Sequence, residues 1–317
     1  MAERIARWIV IVLAVGVPLV ALLLRAPEAG AIEIHGQMAE SGGWTPADLT
    51  AQVGQTLRLR LTSDDVMHGF AIGQSDVPAV DVKPGMMTDV SLTFDTPGKY
   101  VFYCTRWCGP NHWRMRGTIE VAGPGRDTPA EPPPYVALGI DIDAPHPADV
   151  LPTRPPSAAR GSQLGVTIPA QYLALDYYRA HSPVDLWRAL RDDPLSRGLT
   201  DSDVWDMVAL AWQSHTTPDA LSESAKLFAA NCAACHGETG AGDGVMADQL
   251  PNHTLDGHEA TRPVDFTDPA LLGASPALLQ GKIVRGGMGT NMPYWGPIFT
   301  DAQTWALVNY LYTFQFQ

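Results

Sequence analysis

The chain has 317 residues, 45% of them hydrophobic and 17% charged, which is enough for about two domains with separate cores. Its formal net charge of -13 argues against a nucleic-acid partner and favours acidic surfaces that attract basic ones. Only four cysteines occur, in two close pairs, so the chain is not a small disulfide-stapled module.

The first feature in chain order is an uncharged run of seventeen residues, Trp8 to Leu24, with Arg4 and Arg7 before it and Arg25 after it. It predicts one membrane helix over residues 1–30, short enough that the arginines must snorkel to the interface. The rival reading is a cleaved signal peptide, with the small residues of "PEAGA" as the peptidase site. The arginine imbalance places the N-terminus in the cytoplasm and the rest of the chain on the periplasmic or extracytoplasmic side of the cell membrane. There, idle thiols oxidise, so each cysteine pair is either a disulfide or the seat of a cofactor.

Residues 31–122 read as an all-β sandwich. "LRLRL" (57–61) alternates apolar and charged residues, "DVSLTF" (89–94) and "KYVFYC" (99–104) follow, and "KPG" and "TPG" supply turns. Residues 123–169 are proline-rich without a sustained period, which predicts a semi-extended linker. Beyond it "QYLALDYYRA", "DVWDMVALAW", "ESAKLFAANC" and "TWALVNYLYT" carry helical patterning, so the remainder is expected to be all-α. Residues 182–212 also parallel 275–312: Thr200, Asp201, Trp205 and Val208 recur as Thr300, Asp301, Trp305 and Val308. Thr300 and Gln303 fit a capping box. The earlier copy has no cysteines, so 170–217 reads as a helical segment, a degenerate remnant of the domain at 218–317 or a chance likeness between amphipathic helices.

"CAACH", Cys232 to His236, is the attachment pattern for c-type haem: two thiols form thioethers and the adjoining imidazole reaches the iron. Ala225, Phe228, Ala229 and Cys232 share a helical face on which a haem would lie. A Cys-x-x-Cys redox disulfide would not need the histidine. An electron carrier needs a sixth ligand, and methionine raises the potential. In "GGMGTNMPYWG", Met292 is favoured over Met288 because Met-Pro ends the loop rigidly ahead of the capped final helix; Met246 lies too near the attachment turn. The segment 218–317 resembles class I cytochrome c through "CAACHGETGAGDG", "RPVDF" and "GTNMPYW". The resemblance implies Cys232 and Cys235 as covalent attachments, His236 as proximal ligand, Met292 as distal ligand, and electron transfer.

"CTRWCGPNHWRM" (104–115) brings Cys104, Cys108, His112 and Met115 together, and "TSDDVMHGF" supplies His68 upstream. Thiolate, thioether and imidazole donors favour copper over hard cations. Zinc would have no use for Met115, a local disulfide would strand both histidines, and a single blue copper would not need the second cysteine. Two coppers bridged by two thiolates use every donor.

These two motifs resemble the CuA domain of cytochrome c oxidase subunit II, fused here to a cytochrome c. The resemblance implies a cupredoxin sandwich with bridging Cys104 and Cys108, terminal His68 and His112, and axial Met115 and Arg106 carbonyl. It further implies an electron-transfer subunit of a respiratory haem-copper oxidase, fed by a cytochrome or other redox donor. Electrons would pass from haem c to binuclear copper and on to subunit I, which carries the oxygen-reducing site that this chain lacks. Similar subunits serve a CuA-containing nitric oxide reductase, and a stand-alone membrane-tethered shuttle is the reading from another class. Three departures stand out. Arg106 replaces a glutamate that helps hold interfacial magnesium, one membrane helix replaces two, and Trp44 is the only tryptophan of the usual electron-entry segment. Trp107 and Trp113 are expected to shield the cluster, or else one of them is an entry contact.

Overall fold

The computed structural model describes residues 30–75, 77–109, 111–124, 131–250, 262–287 and 290–317. The expected membrane helix lies outside the described residues, and among these no helix is long and apolar enough to cross a membrane.

The N-terminal half is a cupredoxin-like sandwich of two sheets. Its strands are β1 (Ile32–Gly36), β2 (Trp44–Thr45), β3 (Asp48–Gln52), β4 (Thr56–Ser63), β5 (His68–Ile72), β6 (Val80–Val82), β7 (Thr88–Thr93), β8 (Gly98–Tyr103) and β9 (Arg116–Ala122). One sheet has the order β2-β1-β4-β7 and the other β3-β9-β8-β5-β6. β1 pairs parallel with β4, and β3 with β9; the other pairings are antiparallel. The alternation of "LRLRL" works as expected: Leu57, Leu59 and Leu61 point into the core and meet Ile34, Phe70, Phe102 and Ile119. All of β5 is buried, which the apolar run "GFAI" permits and which the bond to Asp65 permits for His68.

The second half is helical: α1 (Pro134–Ala137), α2 (Ala158–Gln163), α3 (Leu175–Ala180), α4 (Pro183–Asp192), α5 (Asp201–Gln213), α6 (Pro218–Asn231), α7 (Ala233–His236), α8 (Pro276–Arg285) and α9 (Asp301–Tyr312). The capping box at Thr300 is present, with Gln303 N–H donating to the hydroxyl at 3.2 Å and Thr300 N–H donating to the Gln303 side chain at 2.9 Å. Thr200 with Asp203 and Ser182 with Asp185 cap α5 and α4 in the same way, so the two similar stretches begin their helices by the same device. "QYLALDYYRA" does not form one helix. Ala174 is extended, at φ -68° and ψ 139°, and separates a 3-10 turn from α3.

The proline-rich segment differs from a free spacer. Ile142 and Ile168 are buried in the helical core, and α2 lies on α5 so closely that a Cβ on Gly161 would fall 2.3 Å from the Asp206 carbonyl oxygen. The Asp206 carboxylate, 1% exposed, accepts from Arg154 at 2.6 Å, from Arg160 Nε at 3.0 Å and Nη2 at 2.9 Å, and from Ser157 N–H at 2.7 Å. None of these partners shows in a periodicity, because they join residues about fifty positions apart. Substituting Asp206→Ala leaves two guanidinium groups and an N–H unmatched. It should cost about 2 to 3 kcal/mol, less than for a fully buried pair because both arginines stay half-exposed. Urea unfolding followed by the helix signal checks this, and an unchanged midpoint would remove the structural role given to the carboxylate.

Candidate metal centres

The twelve residues from Cys104 to Met115 form the loop between β8 and β9. Cys104 N–H donates to the Met115 carbonyl at 3.0 Å, which closes the loop's base, and Thr105 N–H donates to the Gly69 carbonyl at 3.2 Å, which ties it to β5. Asn111 takes the left-handed conformation at φ 55°, a geometry Asn tolerates, and starts the single turn that carries His112.

This backbone brings the expected donors together. Cys104 Sγ lies 3.9 Å from Cys108 Sγ, 3.9 Å from His68 Nδ1 and 3.2 Å from the Arg106 carbonyl oxygen. Cys108 Sγ lies 3.5 Å from His112 Nδ1 and 3.8 Å from Met115 Sδ. His68, Cys104 and Cys108 are buried and their ligand atoms lie within 4.8 Å of one another, while all four cysteines are free thiols. The 3.9 Å between the Cys104 and Cys108 sulfurs is nearly twice the length of a disulfide bond. The hydrogen bond from Cys108 holds the Cys104 thiol well below its usual range, whereas the neighbouring Cys104 pushes Cys108 well above it. A cation bound between the sulfurs would favour ionisation of both, and soft sulfur with imidazole suits copper.

Sequence reasoning missed the group that orients His68. Asp65, three residues earlier in "TSDDVMHGF", accepts from His68 Nε2 at 2.7 Å and is itself fixed by the N–H groups of Met38 at 2.7 Å and Val66 at 2.6 Å. The proton on Nε2 leaves Nδ1, the nitrogen facing Cys104, as the lone-pair donor. Burial alone would lower the His68 pKa, but hydrogen bonds with Cys104 and Asp65 raise it overall. The shield is also different from expectation. Trp44 is buried edge-on to His68 with ring centroids 5.9 Å apart, whereas Trp107 is 50% exposed beside His112 and Trp113 is half-buried. The Arg106 side chain turns outward to pair with Asp81 at 2.9 Å and leaves only its carbonyl at the cluster.

In the helical half, Cys232 ends α6, and Cys235 and His236 lie on α7. His236 Nδ1 donates to the Val264 carbonyl at 3.1 Å, which frees Nε2 for a metal; "RPVDF" provides that carbonyl. Desolvation lowers the His236 pKa, and pushes the Cys232 thiol up to about 12 although part of that residue meets solvent. Desolvation thus disfavours the charged form of both groups. The buried stripe of α6 runs through Ser224 and Phe228; Ala229, expected on that face, is exposed. Met292 is half-buried against the helical core, its N–H bonded to Thr290 Oγ1 at 3.2 Å and its carbonyl to Gly287 N–H at 3.2 Å. Met288 lies outside the described residues.

The comparisons follow this division. Residues 46–122 match the family "Cytochrome C oxidase subunit II, periplasmic domain", and residues 221–315 match "Cytochrome c". A stretch similar to a subunit II periplasmic domain thus precedes one similar to cytochrome c, and these two matches imply copper in the first and haem c in the second, while the chain spans under two thirds of the length of these curated relatives. Cytochrome c oxidase subunit 2 of Thermus thermophilus is 36% identical over 84 residues, 26% of this chain and 62% of that protein. A second subunit 2 sequence of the same species is 36% identical over 84 residues, 26% of this chain and 49% of its own length. The periplasmic domain of oxidase subunit II from Bradyrhizobium japonicum is 20% identical, with a TM-score of 0.26, over 30% of this chain and 86% of that structure.

The tightest point of the sandwich site is Gly69, next to His68. A Cβ there would fall 2.0 Å from Thr105 Oγ1, 3.0 Å from Arg106 Cγ and 3.2 Å from Arg106 N. Gly69→Ala should push the Thr105–Arg106 backbone out of place and lower copper uptake at least about tenfold, since a displaced ligand shell typically costs that much in metal affinity. Copper titration of the purified protein measures it; wild-type uptake would show that this approach does not set the ligand loop.

Proposed function

We propose that this chain is the electron-transfer subunit of a membrane haem-copper oxidase. Electrons arrive at haem c from a cytochrome or other redox donor, pass to a binuclear copper centre, and leave for a separate subunit I that reduces oxygen to water. The observation that carries the reading is the convergence of two free thiols, two imidazoles and a thioether on one loop and one strand, in the same chain as "CAACH".

The thiolates of Cys104 and Cys108, the imidazoles of His68 and His112 and, more weakly, the Met115 thioether and the Arg106 carbonyl would hold the copper pair. Cys232 and Cys235 would hold the haem covalently, and His236 and Met292 would bind its iron. The metals supply one-electron chemistry; the protein binds, orients and dries them. Asp65 fixes the His68 tautomer, Val264 that of His236, and Trp44 keeps water from the His68 side. The outward turn of Arg106 toward Asp81 supports the loss of an interfacial magnesium ligand at that position.

Residues 31–122 form the copper domain and 218–317 the haem domain, both on the extracytoplasmic side, and the uncharged run from Trp8 to Leu24 supports a single membrane anchor ahead of them. Residues 170–217 are a degenerate copy of the cytochrome unit; the shared capping devices at Thr200 and Thr300 support this.

Cys104→Ser should abolish the binuclear copper spectrum and leave the haem spectrum intact; loss of haem with copper retained would overturn the assignment. Met292→Ala should remove the methionine-iron charge-transfer band, and Met288→Ala should not. In the purified, metal-replete complex, oxygen consumption is expected. Consumption of nitric oxide in its place would move the chain to a nitric oxide reductase, and isolation of the chain alone from native membranes would make it a shuttle.

A further inference from the structure

Among the described residues, hydrogen bonds join the sandwich to the helical unit at two places, Gln74 and Arg116. Just after β5, Gln74 N–H donates to the Ile298 carbonyl at 2.9 Å, and the Gln74 amide donates to the Gly296 carbonyl at 2.5 Å. Gly73 is what lets the chains approach: a Cβ would fall 2.3 Å from the Pro297 carbonyl oxygen and 2.9 Å from Ile298 Cα. Both are backbone atoms, which cannot swing aside. At the start of β9, Arg116 Nη1 donates to the Tyr294 carbonyl at 3.0 Å, and its guanidinium carbon sits 5.4 Å from the Tyr294 ring centroid and 5.2 Å from that of Trp295.

The Arg116 contact has an unusual charge balance. Its Nη2 is buried without a hydrogen-bond partner. Ring faces and a carbonyl, rather than a carboxylate, answer the positive charge. Burying a cation this way is costly for stability alone, whereas a planar fork that stacks on rings and bonds a carbonyl at once fixes geometry well.

Arg116 directly follows Met115, and Tyr294 lies two residues after Met292. One peptide unit, one arginine side chain, one hydrogen bond and a short run of backbone therefore connect the two methionines. We propose that Arg116 is a positioning residue for electron transfer between the two centres. Its guanidinium clamps the Met292 loop onto the copper strand, and Gly73 lets the second contact close, so the centres exchange electrons docked in one arrangement rather than by a haem domain swinging on a tether. The inference deepens the function proposed above and rests on its ligand assignment. One electron moves: haem iron is oxidised by one unit, the copper pair is reduced by one, and no covalent bond forms or breaks.

The test uses the full-length chain loaded with haem and copper, with an electron injected photochemically into the haem and copper reduction followed optically. Arg116→Ala should slow haem-to-copper transfer about tenfold or more, as small misplacements of reacting groups do, with both spectra, both midpoint potentials and the rate of haem reduction by an external donor unchanged. Arg116→Lys keeps the charge but not the fork and should restore little of the rate. Gly73→Ala, which leaves Arg116 in place, should slow the same step by wedging the interface. Wild-type transfer rates in both Arg116→Ala and Gly73→Ala, with both centres loaded, would overturn the docking role. Absence of the copper or haem signature from the parent chain would instead overturn the ligand assignment, and this inference with it.

Discussion

Two thiols held 3.9 Å apart in a buried pocket cannot both carry negative charge unaided. Hydrogen bonding favours the Cys104 thiolate and in doing so disfavours that of Cys108. This frustration organises the sandwich. The backbone bond from Cys104 to Met115 closes a loop that would otherwise separate the sulfurs, and the glycine contact at Gly69 presses that loop onto the strand that carries His68. Donors in this arrangement satisfy a soft cation better than they satisfy each other.

The haem side solves a different problem. Desolvation disfavours the charged forms of its thiols and its imidazole, and a backbone carbonyl aims the imidazole. The two sites are coupled by packing. Val101 of the sandwich is part of the helical core, Gly73 admits the backbone of 297 and 298, and Arg116 reaches the Tyr294 carbonyl. On the proposed function, that interface matters as much as either ligand set, because an electron relay works only if its centres are held close.

Much of this was legible in the residues. The alternation at 57–61 located a core strand, Thr300 with Gln303 marked a helix start, and the spacings of the four cysteines sorted them into two sites. What escaped was set by contacts distant in sequence. Proline density at 123–169 has no period, so nothing local announced that Ile142 and Ile168 would be buried or that Asp206 would gather Arg154 and Arg160. Asp65 was visible three residues before His68, but a carboxylate near a ligand orients it only once β5 fixes the ring, and Trp44 took the shielding place expected of Trp107 because β2 carries it into the core. Arg116 carries no local signal, because the carbonyl it meets comes from 178 residues away.

The central claim is that the Cys104–Met115 loop and His68 hold two coppers while "CAACH" holds one haem. The most direct measurement is metal analysis of the purified full-length chain, combined with electron paramagnetic resonance. The account predicts two copper atoms for each haem iron and a signal from one unpaired electron shared between both coppers. A single copper, or zinc in its place, would contradict it.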